Sequence, residues 1–174
     1  MITTTEGRFG VDCSAGRLRR VALRRPAALL TADHKRWHYT KALNPTKVVD
    51  QYEMFVALIE ASGAEIDWLA DTAPDGTVDG LADSVFTYDP SFVVPAGAVV
   101  LRPGKELRVD EADLHAKFYE AHTIPVIGRI DAPGMVEGGD CFWLDGRTIA
   151  VGRGFRTNQA GIEQFAEILR PHGI

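Results

Sequence analysis

Met135-Val136-Glu137-Gly138-Gly139-Asp140 runs directly into Cys141-Phe142-Trp143-Leu144. The first stretch sets two carboxylates around a glycine pair, and the second reads as a strand. Glycine has no Cβ, so the pair lets the backbone turn sharply and come close to a ligand. Past the strand, Asp145-Gly146 is a strong two-residue hairpin signal, and Thr148 to Val151 returns as the second strand. Asn158 then caps a helix with Ile162, Phe165, Ala166 and Leu169 on one face. Hairpin followed by helix is the pattern against which the rest of the chain is read.

Upstream, the same pattern recurs. Asp83-Ser84-Val85-Phe86-Thr87-Tyr88-Asp89-Pro90 opens a second unit in which Val85 to Thr87 and Phe92 to Val94 are strand-like. Pro95-Ala96-Gly97 turns the chain, Ala98 to Arg102 returns, and Pro103-Gly104-Lys105 ends the strand. Asp110 is expected to cap a helix with Leu114, Phe118 and Ala121 on its apolar face, and Ile124 to Ile130 closes the unit. Further back, Leu18 to Leu23 reads as a strand, and Ala27 to Asn44 is irregular around Trp37-His38-Tyr39. That segment suits either a lid or a surface loop anchored by Trp37. Asn44-Pro45 opens a helix, a capping residue followed by proline at the first helical position. Val48, Tyr52, Phe55, Val56 and Ile59 give it one buried face, and Gly63 stops it. A short strand with Ile66 and Trp68 on one side follows, and Asp71 to Gly80 reads as a turn-rich connector.

The fold class expected is therefore α/β, with a flexible Thr- and Gly-rich arm over residues 1–16 and three units near 17–70, 83–131 and 135–174. The first two units finish with a closing strand and the third does not. A unit without its last strand leaves an open sheet edge and apolar helix surface. The expectation is that the domain continues in a longer parent, that a missing C-terminal half completes it, or that its edges meet in a homodimer.

The chain has 174 residues, of which 45% are hydrophobic and 25% charged, ordinary for a globular domain. A net charge of -5 argues against nucleic acid as the main partner. No apolar run approaches 18 residues, so no membrane partner is expected. The opening Met1-Ile2-Thr3-Thr4-Thr5-Glu6 lacks the basic and apolar regions of a secretory leader, and two cysteines make no disulfide framework, so a cytoplasmic location is expected.

The chemistry that these residues suggest is cation binding. Glu137 and Asp89 each lie beside the start of a hairpin in consecutive units, so a repeat could point both at one centre. A guanidinium is planar, always charged and forked, and carboxylates match it with bidentate, charge-assisted bonds. Asp89 before Pro90 is also a common turn pair, and Asp140 equally suits a hairpin cap. Arg156, before Thr157-Asn158 and a helix N-terminus, suits a substrate carboxylate or simply a solvated position beside a helix cap. Cys141 is expected to be a buried structural thiol, and Cys13 lies in the arm. His34, His38, His115 and His122 have no paired spacing with either cysteine, and His115 and His122 are expected at the surface or end of their helix. No His/Cys cluster has metal-ligand spacing, so neither a metal nor another cofactor is expected.

Phe86-Thr87-Tyr88-Asp89-Pro90, Leu101-Arg102-Pro103-Gly104-Lys105, Val136-Glu137-Gly138-Gly139-Asp140 and Arg156-Thr157-Asn158 occur in the order seen in the guanidine-modifying superfamily, the penteins, and the chain resembles that superfamily from about Leu18 on. Asp83-Ser84-Val85-Phe86 looks most like its dimethylarginine dimethylaminohydrolase branch. The resemblance implies a partial α/β-propeller of ββαβ repeats, about three of the five units of a pentein. It implies an arginine-like small-molecule substrate whose guanidinium meets Asp89, with Glu137 an acidic partner of the catalytic histidine and the pocket. Asp83, Arg102 and Arg156 would hold the amino-acid end, and Gly138, Gly139 and Asp140 support the motif. Tyr88 stands where the family carries glutamate or arginine, which leaves the exact substrate open. The implied reaction is hydrolysis of a guanidino C–N bond to citrulline through a cysteine thiouronium intermediate, with arginine deiminase-like chemistry equally accommodated. Both the cysteine and the histidine are expected beyond residue 174, and His172 matches a helix end rather than the catalytic histidine. The isolated chain is then expected to be inactive. A catalytically inactive guanidino-binding or partner-binding fragment and an amidinotransferase are the alternatives.

Overall fold

The computed structural model describes residues 9–72, 76–77 and 79–174. Part of the Asp71–Gly80 connector and the first eight residues of the arm lie outside these described residues. The chain divides into two compact units, Arg17–Thr87 and Met1–Gly16 with Tyr88–Ile174.

In the Arg17–Thr87 unit, β1 (Arg20–Leu23) pairs in parallel with β2 (Glu65–Trp68), and Val21 sits opposite Ile66. A parallel pair needs a crossover, which α1 (Ala27–Leu30), the turns after it and α2 (Pro45–Ala61) provide. The start of α2 follows from chemistry at Asn44: its side chain accepts from Lys47 N at 3.0 Å, and Pro45 sits where no amide donor is needed. Gly63, at φ +79°, takes the left-handed position past the helix end. Tyr52 and Val56 bury against Leu23, and the Tyr52 hydroxyl donates to Arg24 O at 2.6 Å. The Arg24 guanidinium is buried and satisfied by Ser84, Asp79 and the carbonyls of Ala70 and Leu81. Trp37 is buried, so the irregular segment around it is anchored.

Ala82–Val85 forms a 3-10 turn, which corrects the strand expected over Val85 to Thr87. The Ser84 hydroxyl donates to Leu81 O at 2.5 Å and Leu81 N donates to Asp79 Oδ1 at 3.0 Å. Such local side-chain bonds give the backbone an alternative to pairing in a sheet.

In the other unit, β3 (Ser91–Val94) and β4 (Gly97–Val100) form an antiparallel hairpin, α3 (Glu111–Ala121) crosses over, and β5 (Val126–Arg129) returns parallel to β4. This is one ββαβ unit with sheet order β3-β4-β5. The central strand β4 is apolar and buried along its length, as a strand covered on both faces must be. A second hairpin, β6 (Cys141–Asp145) with β7 (Thr148–Val151), is followed by α4 (Gln159–Leu169). One core joins the two: Phe92, Val94, Val99, Leu101, Ile130, Val136, Cys141, Trp143, Phe165 and Leu169. The Phe92 ring meets Phe165 edge-on at 5.6 Å. Burying each such large side chain is worth about 1.5–3 kcal/mol, so the strand containing Phe92 and the helix containing Phe165 are locked together.

Three further expectations change here. Asp145 pairs with Thr148, so the turn of the second hairpin is Gly146-Arg147 rather than Asp145-Gly146, and a register shift between Trp143 and Asp145 absorbs the extra residue. Asp145 Oδ1 accepts from Arg147 N at 2.8 Å, which draws the aspartate into the strand end. Asp110 stands at the N-cap of α3 with helical backbone angles and makes no side-chain cap bond. His115 is buried rather than at the helix surface, because Ser91 Oγ lies 2.8 Å from its Nδ1 and 2.5 Å from the Tyr119 hydroxyl. The described part of the arm is tied down as well: Val11 N donates to Val93 O and Trp143 N to Ser14 Oγ. Among the described residues no helix is long and apolar enough to cross a membrane.

Candidate guanidino-binding site

The Glu137–Asp140 stretch is held from both sides by backbone bonds. Val136 N donates to Arg102 O at 3.0 Å, and Asn158 and Met135 exchange bonds through Asn158 Oδ1 and the two backbones. Asn158 Oδ1 also accepts from Gly161 N at 2.8 Å, so the residue that caps α4 also fixes the strand entering the site. Glu137 N donates to Thr157 Oγ1 at 3.1 Å, and that hydroxyl donates to Asp140 Oδ2 at 2.5 Å. Thr157 is fully buried, so it acts as a fixed bracket between the two acidic residues.

Gly138–Asp140 then turns as a short 3-10 segment. Gly138 N donates to Asp89 O at 3.0 Å, and Gly139 N donates to Asp89 Oδ1 at 3.1 Å. A methyl group on Gly138 would stand 1.9 Å from Tyr88 O, so only glycine permits this approach. The glycine pair therefore brings the second hairpin onto the Tyr88-Asp89 backbone.

Asp89, Glu137 and Asp140 line one concavity of about 350 Å³, together with Gly139, Gly154, Phe155 and Arg156. Three carboxylates face one lining guanidinium, so the hollow favours a cation. The Glu137 side chain is only 4% exposed. Its Oε1 accepts from Gly104 N and its Oε2 from Arg156 Nη1, each at 3.2 Å. The Asp89 side chain is 18% exposed, and its Oδ2 accepts from Arg108 Nη1 at 2.7 Å. Each of these carboxylate oxygens has a second lone-pair position that can take a ligand N–H.

Sequence reasoning missed Arg108 and Glu111. Arg108 is 2% exposed and Glu111 0% exposed, and they meet through a fork: Arg108 Nη2 lies 2.8 Å from Glu111 Oε2 and Nε 3.1 Å from Oε1. Burial works to lower the Arg108 pKa, but the bonds and charges of Glu111 and Asp89 outweigh it and the result is raised. The pair holds Asp89 from behind. Its signal in the sequence is only an i,i+3 spacing that most surface turns also carry.

The remaining expected site residues are placed as follows. Tyr88 is exposed, and its hydroxyl donates to Cys141 O at 3.3 Å. Arg102 Nη1 donates to Gly134 O at 3.4 Å, and Arg102 does not line the concavity. Asp83 belongs to the Arg17–Thr87 unit, where it is buried and accepts from the Tyr39 hydroxyl at 2.5 Å.

Neither cysteine is a poised nucleophile. Cys141 is buried with Sγ directed at Glu137 O, 3.6 Å away, and burial, then the Asp140 charge, push its thiol up to about 12. Cys13 is exposed, and its sulfur accepts from Ala15 N. Among the described residues no three His, Cys, Asp or Glu side chains gather as a metal site.

A family model described as arginine deiminase matches residues 31–173. The N(G),N(G)-dimethylarginine dimethylaminohydrolase of Pseudomonas aeruginosa is 30% identical over 128 residues, which are 74% of this chain and 48% of that protein. Its counterpart from Streptomyces coelicolor is 36% identical over 121 residues, 70% of this chain and 45% of that protein. A solved cysteine-to-serine mutant of the Pseudomonas aeruginosa enzyme, complexed with citrulline, matches with a TM-score of 0.73 at 27% identity, over 91% of this chain and 59% of that one. The chain thus spans about half the length of the curated relatives it matches.

Proposed function

The chain belongs to the arginine deiminase family of guanidine-modifying proteins, most like dimethylarginine dimethylaminohydrolase, and from that premise we propose that its acidic concavity seats the guanidinium of an arginine-like substrate for C–N hydrolysis. The observation that carries the reading is the convergence of Asp89, Glu137 and Asp140 on one hollow, with Glu137 almost withdrawn from water. A carboxylate so placed is costly unless a cation with matching donors meets it, and in the protein alone Arg156 meets Glu137 through one 3.2 Å contact from an exposed side chain. The free lone pairs of Asp89 and Glu137 suit the forked donors of a guanidinium.

In this reading Asp89 binds the guanidinium, and Glu137 orients both the pocket and a catalytic imidazole. Arg102 and Arg156 hold the amino-acid end of the substrate. A thiolate attacks the guanidinium carbon, forming a C–S bond. The C–N bond then breaks, and the amine leaves with a proton from the imidazole. Water, deprotonated by the same imidazole, attacks the thiouronium, releases citrulline and returns the thiol. Cys141 cannot supply the thiolate, since a thiol pushed up to about 12 stays protonated at neutral pH. We therefore assign the thiolate and the imidazole to none of the described residues. By itself the chain is a guanidino binder and not a catalyst.

The test is a pair of measurements on the purified chain. Titration with L-arginine followed by amide NMR should give saturable shifts at Gly139 and Gly154, and incubation with arginine or a dimethylarginine should yield no citrulline. Steady citrulline release would overturn the division of labour, and an absence of saturable shifts would overturn the site.

A further inference from the structure

We propose that Ser91, His115 and Tyr119 are positioning residues for Asp89, forming a buried hydroxyl hub that fixes α3, and with it Arg108, against the strand that begins beside Asp89. The inference rests on the guanidino-binding reading and adds to it the residues that set where one wall of the concavity stands.

Ser91, His115 and Tyr119 are all buried. Ser91 Oγ lies 2.8 Å from His115 Nδ1 and 2.5 Å from the Tyr119 hydroxyl, so one hydroxyl on β3 meets two successive turns of α3. The neighbouring strand β4 is apolar and buried along its length. Apolar burial holds a helix on a sheet but has no direction, so it tolerates sliding. A buried polar cluster is costly unless its bonds are made, and these bonds are made at one register only. The hub therefore fixes α3 along β3 more closely than aliphatic side chains in the same places would.

Both sides of this grip lead to Asp89. On the strand side, Ser91 is two residues from Asp89, and the intervening Pro90 is anchored as its carbonyl accepts from Leu101 N at 2.8 Å. On the helix side, Glu111 is the first residue of α3, and His115 and Tyr119 follow at four-residue steps on the same face. The Arg108 guanidinium forks onto Glu111, and its Nη1 donates to Asp89 Oδ2 at 2.7 Å. The Asp89 carboxylate is thus held from α3, while the Asp89 backbone leads into β3. A slip of α3 along β3 moves Arg108 and leaves the Asp89 backbone behind.

Such a slip has a local reporter. Gly139 N donates to the other Asp89 oxygen, Oδ1, at 3.1 Å, and Gly139 lines the concavity. When Arg108 draws Asp89 aside, that bond lengthens even with no ligand present, and the Gly139 amide proton moves upfield as it does. A ligand guanidinium needs its acceptors at the positions of a rigid fork, so it binds less tightly to a displaced carboxylate.

Three variants of the full 174-residue chain test this. Tyr119→Phe removes one hydroxyl and keeps the ring, and Ser91→Ala removes the hub itself. Tyr52→Phe is the control, because it deletes a buried hydroxyl that donates to Arg24 O in the other unit. Each is read by its melting temperature, by the Gly139 amide shift without ligand, and by isothermal titration with L-arginine. Both hub variants should move the Gly139 amide upfield and weaken arginine by about 3- to 10-fold. Tyr52→Phe should lower the melting temperature while leaving the Gly139 shift and the arginine affinity as in the wild type. Where Ser91→Ala does not fold, the milder Tyr119→Phe decides. Hub variants that melt lower yet keep the wild-type Gly139 shift and arginine affinity would make the cluster purely structural, which overturns the inference and leaves the guanidino site intact. An equal Gly139 shift in Tyr52→Phe would mean general loosening and overturn it as well. A wild type that binds no arginine overturns the guanidino reading, and this inference falls with it.

Discussion

Replacing Arg108 by methionine should destabilise the protein more than any surface change, and the reason is the company that Arg108 keeps. Its guanidinium is 2% exposed and neutralises Glu111, which is 0% exposed, while also holding Asp89. Methionine fills much of the same volume but leaves the Glu111 carboxylate buried without its partner. Breaking a buried pair from one side costs about 3–5 kcal/mol, because the surviving charge is uncompensated. With a urea slope of about 2 kcal/mol per M, the midpoint should fall by about 2 M. Equilibrium unfolding followed by near-UV circular dichroism measures it. The double change Arg108→Met with Glu111→Met removes both buried charges and should recover most of the loss. Asp89, 18% exposed, can then turn to water, so arginine binding should stay weak even where stability returns. A single-variant shift below about 0.3 M, or a double variant less stable than the single, would refute the claim that this pair is a buried strut behind Asp89.

Other outcomes follow from the same geometry. Gly138→Ala would force a methyl to within 1.9 Å of Tyr88 O, so the two hairpins must separate. A cost of about 1–3 kcal/mol is expected, lowering the melting temperature by about 2–12 °C, and a melt unchanged from wild type would contradict it. Thr157→Val removes the acceptor for Glu137 N and the donor to Asp140, at about 1–3 kcal/mol. Native alkylation at pH 8 should label Cys13 alone, with Cys141 modified only in denaturant, as intact mass would read. The Cys141 thiol is raised from 9.0 to about 12, so the folded state holds its proton more tightly than the unfolded chain does. Its contribution is fully present below pH 9 and is lost as the pH climbs toward 12, because the unfolded thiol ionises first. Cys141→Ala should remove the decline that begins near pH 9, leaving the later decline of Tyr52 and Tyr119, each raised from 10.0 to about 12 by burial.

Much of this molecule is legible where a local chemical rule decides the structure. Asn44-Pro45 and Asn158 name the starts of α2 and α4 because each side chain satisfies its own helix end. The Glu137-Gly138-Gly139-Asp140 stretch announces a close approach because no other residue type tolerates one. Legibility fails where a residue's state depends on distant partners. Val85 looks like a strand residue, but Asp79, Leu81 and Ser84 bond locally and wind that segment into a turn. His115 looks like a surface histidine until Ser91, from a strand, meets its Nδ1 inside and shares the same hydroxyl with Tyr119 of the next helical turn. Arg108 and Glu111 carry no sequence signal beyond their spacing, and only the fold reveals that both are buried behind Asp89. Periodicity cannot report burial of a charge, because burial of a charge depends on who meets it.

The central claim is that the concavity lined by Asp89 and Glu137, the latter almost closed off from water, seats a guanidinium. The most direct measurement is the binding of L-arginine to the wild-type chain and to Glu137→Gln, with L-lysine as the competing cation. Glutamine keeps the shape and the acceptor for Gly104 N but removes the charge. The account predicts that Glu137→Gln weakens arginine by at least about 10-fold, since a charge-assisted bond contributes about 1.5–3 kcal/mol, and that wild type prefers arginine to lysine because only a guanidinium fits the fork. Arginine binding that is unchanged in Glu137→Gln, or matched by lysine in the wild type, would contradict it.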